Sequence, residues 1–217
     1  MQQERYNALL QSIPAHCKLI AVSKTKSVQD IQALYKLGQR DFGENKVQEL
    51  LGKKDHLPAD VRWHMIGNLQ RNKVKYLTDF IHLIHSVESS KLLKEISKQA
   101  VKSNNNIAVL LQVKIAREES KEGMSVTELE PLLQDFDNGK YPNIIIKGLM
   151  GMATFTEDEA IVSEEFARLR EIRDGLQQAH PYLEELSMGM SGDYSLAIEQ
   201  GSTMLRIGSL LFGARDY

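Results

Sequence analysis

The 217-residue sequence predicts a closed (β/α)8 barrel of the TIM-barrel type. Short apolar runs alternate with amphipathic helical segments eight times along the chain, which is typical of parallel β/α units. The apolar runs are nearly continuous, as expected for strands that are covered on both faces. An open, doubly wound sheet is the competing arrangement, but no G-x-G-x-x-G dinucleotide motif follows the first strand.

The composition is that of one globular domain spanning residues 1–217, with 42% hydrophobic and 26% charged residues. Lysine and arginine number 27 and aspartate and glutamate 29, so the net charge of −2 predicts neither nucleic acid nor an anionic membrane as a partner. Cys17 is the single cysteine and cannot form an internal disulfide, which suits a reducing cytoplasm. We expect no signal peptide and no membrane-spanning run.

The first half of the chain supplies an additional N-terminal helix and four of the eight strands. The helix covers residues 1–12 and ends before Pro14, because proline cannot continue it. The predicted strands are 18–23, 40–44, 61–67 and 80–86. Helices follow them at about 28–38, 46–53 and 69–77, and a fourth begins after a serine cap at Ser89 or Ser90. Ser27 is the expected cap of the first of these helices.

The second half repeats the alternation and completes the count of eight strands. Its predicted strands are 107–113, 144–150, 184–188 and 204–207. Its helices lie around 129–136, 157–179 and 193–200, and the chain closes with residues 209–217. Eight β/α units in a chain of this length leave little room for long loops.

The first strand leads into a lysine. Side chains alternate along a strand, so Ile20, Val22 and Lys24 are expected to share one face. An ammonium group held at the end of a buried strand is desolvated, which lowers its pKa and makes the amine a usable nucleophile. The alternative is an ordinary surface lysine just past the strand, and by itself this stretch favours that alternative.

Small residues follow the last two strands, where barrels of this type often hold phosphate. Ser191 and Gly192 precede one predicted helix, and Gly208 and Ser209 precede another. Helix N-termini favour negative charge, and small residues let backbone N–H groups approach an anion. A phosphate site facing the amine of Lys24 predicts a phosphorylated aldehyde bound as a Schiff base. The alternative is that these residues are ordinary helix caps.

Arg206 lies two residues before Gly208, between two apolar residues of the eighth strand. If its side chain points inward, it is a fixed positive charge beside the ligand. Opposite a pyridine nitrogen, such a charge keeps that nitrogen unprotonated and weakens the ring as an electron sink. The alternative is a salt bridge at the rim of the barrel.

The histidines and methionines predict packing rather than chemistry. The six histidines show no metal-ligand spacing, so we expect no metal site. His64 is expected to be a hydrogen-bonded interior group, and His82 and His85 are expected to face opposite sides of their strand. Four methionines are expected to fill gaps in the core: Met150, Met152, Met188 and Met190.

Seven stretches, in order along the chain, resemble the pyridoxal phosphate homeostasis proteins, a family related to the N-terminal barrel of alanine racemase. They are residues 21–26, 42–45, 63–70, 119–123, 148–150, 186–191 and 201–208, the last continuing to 212–213. The first contains Ser23-Lys24-Thr25-Lys26. The sequence departs from the family pattern where tyrosine, proline, histidine and asparagine are common; the residues present there are Lys46, Ser27, Asn68 and Lys114.

The resemblance implies pyridoxal 5′-phosphate (PLP) as the cofactor, attached to Lys24 as an internal aldimine. It also implies which other residues bind the cofactor: Ser191, Gly208 and Ser209 at the phosphate, Arg206 at the pyridine nitrogen, and Asn45 nearby. Lys26 and Lys121 resemble family lysines that take part in handling the cofactor rather than in the covalent bond. The resemblance implies neither a catalytic residue nor a metal.

Two classes of function are compatible with this resemblance. The first is a carrier that binds PLP reversibly, limits free aldehyde in the cell and passes the cofactor to PLP-requiring apo-enzymes. The second is a PLP-dependent amino-acid racemase of weak activity, and a barrel with a vestigial site is a third possibility. Racemisation needs an acid or base on each face of the cofactor. In racemases the second group is a tyrosine supplied with an additional β domain and a partner subunit. The predicted barrel uses the whole of this sequence and leaves no residues for such a domain, so we expect a monomeric, non-catalytic carrier here.

Overall fold

Eight parallel strands close into a barrel in the computed structural model, which describes residues 2–118 and 122–213. The strands pair in sequential order, and β8 pairs with β1 to close the sheet. Their bounds are β1 Lys18–Val22, β2 Asp41–Glu44, β3 Arg62–Met65, β4 Ile81–Val87, β5 Ile107–Gln112, β6 Ile144–Met150, β7 Glu185–Ser187 and β8 Met204–Ile207. This arrangement confirms the (β/α)8 prediction and excludes the open doubly wound sheet.

Helices surround the barrel, and an additional one, α1, precedes the first strand as predicted. Their bounds are α1 Gln2–Ser12, α2 Val28–Lys36, α3 Val47–Lys54, α4 Ser90–Ser103, α5 Val126–Asp137, α6 Glu159–Gln177, α7 Tyr194–Glu199 and α8 Ser209–Phe212. The short helix predicted between β3 and β4 is a 3₁₀ helix, Arg71–Tyr76. Among the described residues, no helix is both long and apolar enough to cross a bilayer.

Serine caps start two of the helices where the sequence predicts them. Ser27 accepts the N–H of Asp30 at 3.1 Å, and the Asp30 carboxylate accepts the N–H of Ser27 at 3.0 Å. Ser89 accepts the N–H of Leu92 at the start of α4. Each such cap contributes about 1 kcal/mol. The cap at Ser27 also fixes where α2 begins, directly after the segment that carries Lys24.

The apolar core has two layers. The larger layer lies between the strands and the helices and includes fully buried side chains such as Phe42 and Phe166. The smaller layer is a cluster inside the barrel formed by Leu83, Leu110, Met150 and Met204. Since each fully buried large apolar side chain stabilises the fold by about 1.5–3 kcal/mol, the outer layer supplies most of the stability.

Polar side chains also lie inside the barrel. His64 and His85 are both fully buried, with His64 Nδ1 2.8 Å from His85 Nε2. His64 is therefore the hydrogen-bonded interior group that the sequence predicts. His82 is exposed, but its ring centroid lies 5.3 Å from that of His64, because the β3–β4 pairing shifts register at this point.

A pH dependence of stability follows from these buried rings. Burial lowers the pKa of both His64 and His85, so they stay neutral in the folded chain where the unfolded chain takes up protons. The free energy of unfolding should therefore fall as the pH drops below about 6.5, by about 1.4 kcal/mol per pH unit for each histidine.

Urea unfolding between about pH 7 and pH 5 measures this slope. His85→Leu should reduce this slope by the contribution of one proton, about 1.4 kcal/mol per pH unit. Equal slopes in His85→Leu and the wild-type protein would contradict this assignment.

Candidate functional site

A cavity of about 400 Å³ lies at the C-terminal end of the barrel. All six predicted binding residues line it: Lys24, Asn45, Ser191, Arg206, Gly208 and Ser209. Lys26 lines it too. The barrel topology brings these positions together, because β1 pairs with both β2 and β8. A volume of this size suits a small-molecule ligand.

Lys24 lies in a tight turn rather than at the end of the strand. β1 ends at Val22, and the N–H of Lys26 donates to the carbonyl of Ser23 at 3.0 Å, which closes a four-residue turn. Thr25 occupies the third position with φ of +64°, a left-handed conformation that β-branched residues rarely adopt. The turn places the half-buried Lys24 and Lys26 on the cavity wall.

A buried ion pair supports this turn from below. Lys53 Nζ donates to the carbonyl of Ser23 and to Glu44 Oε1, both at 2.8 Å. Ser23 Oγ donates to the same carboxylate oxygen at 2.6 Å. Glu49 accepts from Lys53 at 2.7 Å and from the N–H of Thr25. These contacts fix the left-handed turn and hence the position of Lys24.

Sequence reasoning missed Lys53, although a signal was present. Lys53 follows Val47 and Leu50 at intervals of three, and all three are buried on one face of α3. A lysine on the apolar face of a helix needs a buried partner, since an unpaired charge is costly there. Glu44, at the end of β2, is that partner.

The loops after β7 and β8 meet at the wall of the cavity, beside the end of β1. The N–H of Gly208 donates to Ser191 Oγ at 3.3 Å. A Cβ at position 208 would lie 3.2 Å from the carbonyl oxygen of Val22, so glycine permits the close approach of this loop to β1. Ser209 then begins α8. The arrangement offers hydroxyl and backbone donors to an anion.

One part of the predicted anion site differs from expectation. The N-cap residue of α7 is Asp193, and its carboxylate accepts the N–H of Met190 at 2.5 Å. Because a carboxylate already lies at this helix start, a second anion is disfavoured there. The donors available to a phosphate are therefore those of Ser191, Gly208 and Ser209 rather than the N-terminus of α7.

Arg206 is buried inside the barrel and lines the cavity. Its Nη1 donates to Ser187 Oγ at 2.6 Å and its Nη2 to the carbonyl of Gly151 at 3.0 Å. Burial lowers the pKa of Arg206 to about 10, against an opposing attraction from Asp193, so the guanidinium stays charged at neutral pH. Its described hydrogen-bond acceptors are neutral, and the alternative of a salt bridge at the rim is wrong.

The four methionines that were predicted to fill the core differ in where they lie. Met150 and Met188 are fully buried in the core as expected. Met152 lines the cavity but also packs against the inner apolar cluster, whereas Met190 is exposed at the cavity, so the core prediction is wrong for Met190. Phe155, which the sequence did not single out, also lines the cavity and is 93% exposed.

Lys46 is exposed at the N-cap of α3, away from the cavity lining. Lys121 lies outside the described residues.

Gly67 determines where Asn45 lies. A Cβ at position 67 would meet the backbone oxygen of Asn45 at 2.5 Å and its Cα at 2.7 Å. Backbone atoms cannot move aside as the end of a flexible side chain can. The glycine after β3 therefore allows the end of β2 to pack against it, and this contact places Asn45 on the cavity wall.

Gly67→Ala should therefore destabilise the protein by about 1–3 kcal/mol and weaken ligand binding, because the clash displaces Asn45. Gly52→Ala is the matched control, since a Cβ there has no neighbour within 4 Å and the position is helical. It should stabilise the protein by about 0.5–1 kcal/mol. Urea unfolding of both variants measures the difference, and equal stabilities would contradict the assigned role of Gly67.

Comparisons with known proteins agree with this geometry. The chain matches the family model of the alanine racemase N-terminal domain over residues 2–216. In an alignment of 226 positions it is 41% identical to the pyridoxal phosphate homeostasis protein of Aquifex aeolicus, covering 99% of this chain and 98% of that protein. PipY of Synechococcus elongatus PCC7942, solved with PLP bound, is similar with a TM-score of 0.89 and 35% identity, covering 98% of this chain and 100% of PipY.

A more distant similarity shows the fold alone. The alanine racemase of Clostridium difficile 630 superposes with a TM-score of 0.82 at 14% identity. The alignment covers 100% of this chain but 57% of the racemase. The barrel is thus shared between the two proteins, and the racemase has a further part without a counterpart in this alignment.

Proposed function

This chain belongs to the pyridoxal phosphate homeostasis family, built on the alanine racemase N-terminal domain, and we propose on that basis that it binds PLP reversibly and maintains the intracellular PLP pool. The observation that carries the proposal is the meeting of Lys24, Arg206 and the Gly208 loop in one cavity. In the proposed binding mode, each of them faces a different functional group of the cofactor.

The residues of the cavity fit PLP. The cofactor carries an aldehyde, a phosphate and a pyridine nitrogen, and the cavity offers an amine, hydroxyl and backbone donors, and a buried guanidinium. Ser191, Gly208 and Ser209 all line the cavity, and small residues of this kind let an anion approach the backbone. We propose that Ser191, Gly208 and Ser209 hold the phosphate, Arg206 faces the pyridine nitrogen, and Asn45 borders the ring.

The aldehyde of PLP supplies an electrophilic carbon for a reversible bond to an amine. Lys24 would supply the amine for this bond, which would form with release of one water molecule and be reversed by addition of water. The turn held by Lys53 presents Lys24 for this reaction. Lys26, on the same cavity wall, is positioned to assist entry and release.

The chain is proposed to hold PLP rather than to turn over substrates. The charge of Arg206 opposite the pyridine nitrogen keeps that nitrogen unprotonated, which weakens the ring as an electron sink. Among the described residues that line the cavity, the titratable groups are Lys24, Lys26 and Arg206. The second candidate function, weak amino-acid racemisation, rests on the fold shared with alanine racemase.

An incubation separates the two functions. PLP-loaded protein is mixed with an excess of an apo-aminotransferase, and separately with L-alanine. A carrier should lose its PLP as the aminotransferase gains activity, and it should produce no steady stream of D-alanine. Retention of PLP in the presence of the apo-enzyme would contradict the carrier proposal, and steady D-alanine formation would favour the racemase.

We also propose a single PLP-binding domain over residues 1–217, a cytoplasmic location and a monomer. The six residues proposed to bind the ligand lie together in one barrel, so the proposed contacts need no second copy. The free Cys17 is buried, as suits a protein of a reducing compartment. Light scattering on the protein as it elutes from a size-exclusion column should give a molar mass of 24.6 kDa, that of one chain, with or without PLP.

A further inference from the structure

A line of hydrogen-bonded side chains runs from the cavity through the barrel to its N-terminal end. Arg206 Nη1 lies 2.6 Å from Ser187 Oγ, which lies 2.9 Å from His85 Nδ1. His85 Nε2 lies 2.8 Å from His64 Nδ1, and His64 Nε2 lies 3.0 Å from Asp41 Oδ1. Five side chains from five strands or strand ends thus connect opposite faces of the barrel.

The direction of every hydrogen bond in this line can be deduced. Burial raises the pKa of Asp41, but hydrogen bonds from Arg62 and His64 outweigh it and hold the pKa well below its usual range, so Asp41 is a carboxylate and only accepts. His64 Nε2 must then donate. Because a neutral imidazole has one N–H, His64 Nδ1 accepts, and His85 Nε2 is its donor.

The hydrogen bonds between His64 and the cavity have the same direction. Since His85 is neutral and donates from Nε2, its Nδ1 accepts, and the hydroxyl of Ser187 must donate to it. The oxygen of Ser187 is then left to accept from Arg206. All donors therefore point from Arg206 toward Asp41, with a cation at one end of the line and an anion at the other.

The surroundings of the two histidines disfavour any other arrangement. Burial is the main cause that lowers the pKa of each ring, and nearby cations add to it. Lys18 and Arg62 face His64 from β1 and β3, with Asp41 as the opposing charge. His85 faces His64, Arg206, Lys18 and His82. The rings therefore stay neutral, which preserves the direction of the line.

Stability alone is a weak reason to keep this line. Barrel interiors of this fold are usually filled by branched apolar residues, and a cluster of that kind fills part of the interior here. Burying polar groups costs free energy even when all of them are paired, and apolar residues of similar volume avoid that cost. The line ends on Arg206, the charged group of the cavity, and this suggests a functional reason.

We propose that Ser187, His85 and His64 are positioning residues for Arg206, which hold its guanidinium toward the pyridine nitrogen of PLP and anchor it to Asp41 at the opposite end of the barrel. This inference rests on the proposed PLP-binding function. Ser187, His85 and His64 each make two hydrogen bonds within the line, so rotation of any one of these three side chains breaks two hydrogen bonds.

The line itself can be tested without PLP. Long-range ¹⁵N–¹H spectra of the imidazole rings report the tautomer and the charge of each histidine. We expect His64 and His85 to be neutral Nε2–H tautomers between about pH 6 and pH 8. A Nδ1–H tautomer or a protonated ring at either position would overturn the deduced direction and the proposal with it.

Two variants then test the role in PLP binding. Ser187→Ala and His85→Leu should each raise the Kd for PLP about tenfold, because Arg206 loses its fixed orientation. Both should also lower the pH at which the visible band of lysine-bound PLP titrates. When Arg206 is no longer held opposite the pyridine nitrogen, that nitrogen can take up a proton. Its charge then disfavours a second positive charge on the same conjugated system, which lowers the pKa of the lysine-bound imine.

Ser202→Ala is the matched control for Ser187→Ala. Ser202 is also fully buried, but its hydroxyl donates to the carbonyl of Met188, outside the line. It should change neither the Kd nor the titration. Compared with His85→Leu, His85→Gln should bring both the Kd for PLP and the titration of the visible band part of the way back to the wild-type values, since the amide of glutamine can accept from Ser187 and donate to His64.

Two results would contradict the positioning role. Wild-type Kd values and titrations in both folded variants, Ser187→Ala and His85→Leu, would overturn it directly. A wild-type protein that shows no visible band with PLP would contradict the proposed function and this role together. The tautomer spectra would still show whether the line exists, so the two failures are distinguishable.

Discussion

Replacing Lys24 by alanine is expected to abolish covalent PLP binding. The visible band of lysine-bound PLP should disappear, and the Kd for PLP should rise by roughly two orders of magnitude, because phosphate and ring contacts alone remain. Lys24 is placed for this bond by a turn with a left-handed Thr25, held by Glu49. Equilibrium dialysis and absorption spectra of the purified variant measure both effects.

Lys26→Ala is the matched control, since Lys26 lines the same cavity two residues away. It should keep the visible band and a Kd within a few-fold of the wild-type value, while PLP release slows if Lys26 assists exit. If the band survives in Lys24→Ala and vanishes in Lys26→Ala, the covalent bond is on Lys26, and the assignment to Lys24 is wrong.

Lys53→Met is expected to cause the largest loss of stability, about 3–5 kcal/mol. Lys53 and Glu44 form an ion pair with side chains that are 8% and 0% exposed. Removing the lysine leaves the Glu44 carboxylate buried without its counter-ion, and its Oε2 has no hydrogen-bond partner among the described residues. Urea unfolding gives the change, and the loosened turn should also weaken PLP binding.

Two further variants make this result interpretable. Lys54→Met, the next residue along α3, pairs with Asp55 at the surface and should cost less than about 1 kcal/mol. Glu44→Gln combined with Lys53→Met should be more stable than Lys53→Met alone, because a neutral amide replaces the unpaired charge. If Lys53→Met lies within about 1 kcal/mol of wild type, the buried pair does not support the turn as described.

The barrel could be predicted from the sequence because its strands and helices differ in hydrophobic period. Each predicted strand matches an observed one, and no strand end differs by more than two residues. The family resemblance from seven motifs is likewise confirmed. The pairing of β8 with β1 makes Lys24 and Gly208 neighbours, and this brings the residues at the strand ends together around one cavity.

The support around Lys24 could be predicted only in part. The spacing of Val47, Leu50 and Lys53 indicates a lysine on a buried helix face, but its partner depends on how α3 sits against β2. The left-handed conformation of Thr25 has no signal in the sequence, because threonine rarely adopts it. In the structure, Lys53 holds the carbonyl of Ser23 and Glu49 accepts the N–H of Thr25, and these contacts stabilise the turn.

The polar line through the barrel is also absent from the sequence pattern. His64 and His85 could be placed on strands, and His64 was expected to be a satisfied interior group. Their direct contact depends on the relative register of β3 and β4, which shifts between Trp63 and His64. Alternation along one strand cannot give the register between two strands, so the connection from Asp41 to Arg206 needed the structure.

The central claim is that Lys24 forms the reversible bond to PLP, and peptide mapping tests it most directly. PLP-loaded protein is reduced with borohydride, which fixes the adduct, and is then digested with trypsin, which does not cut after the modified lysine. Modification of Lys24 predicts a PLP-bearing peptide of residues 19–26. A PLP-bearing peptide of residues 25–36 would place the bond on Lys26 and contradict the account, as would a reduced protein without PLP.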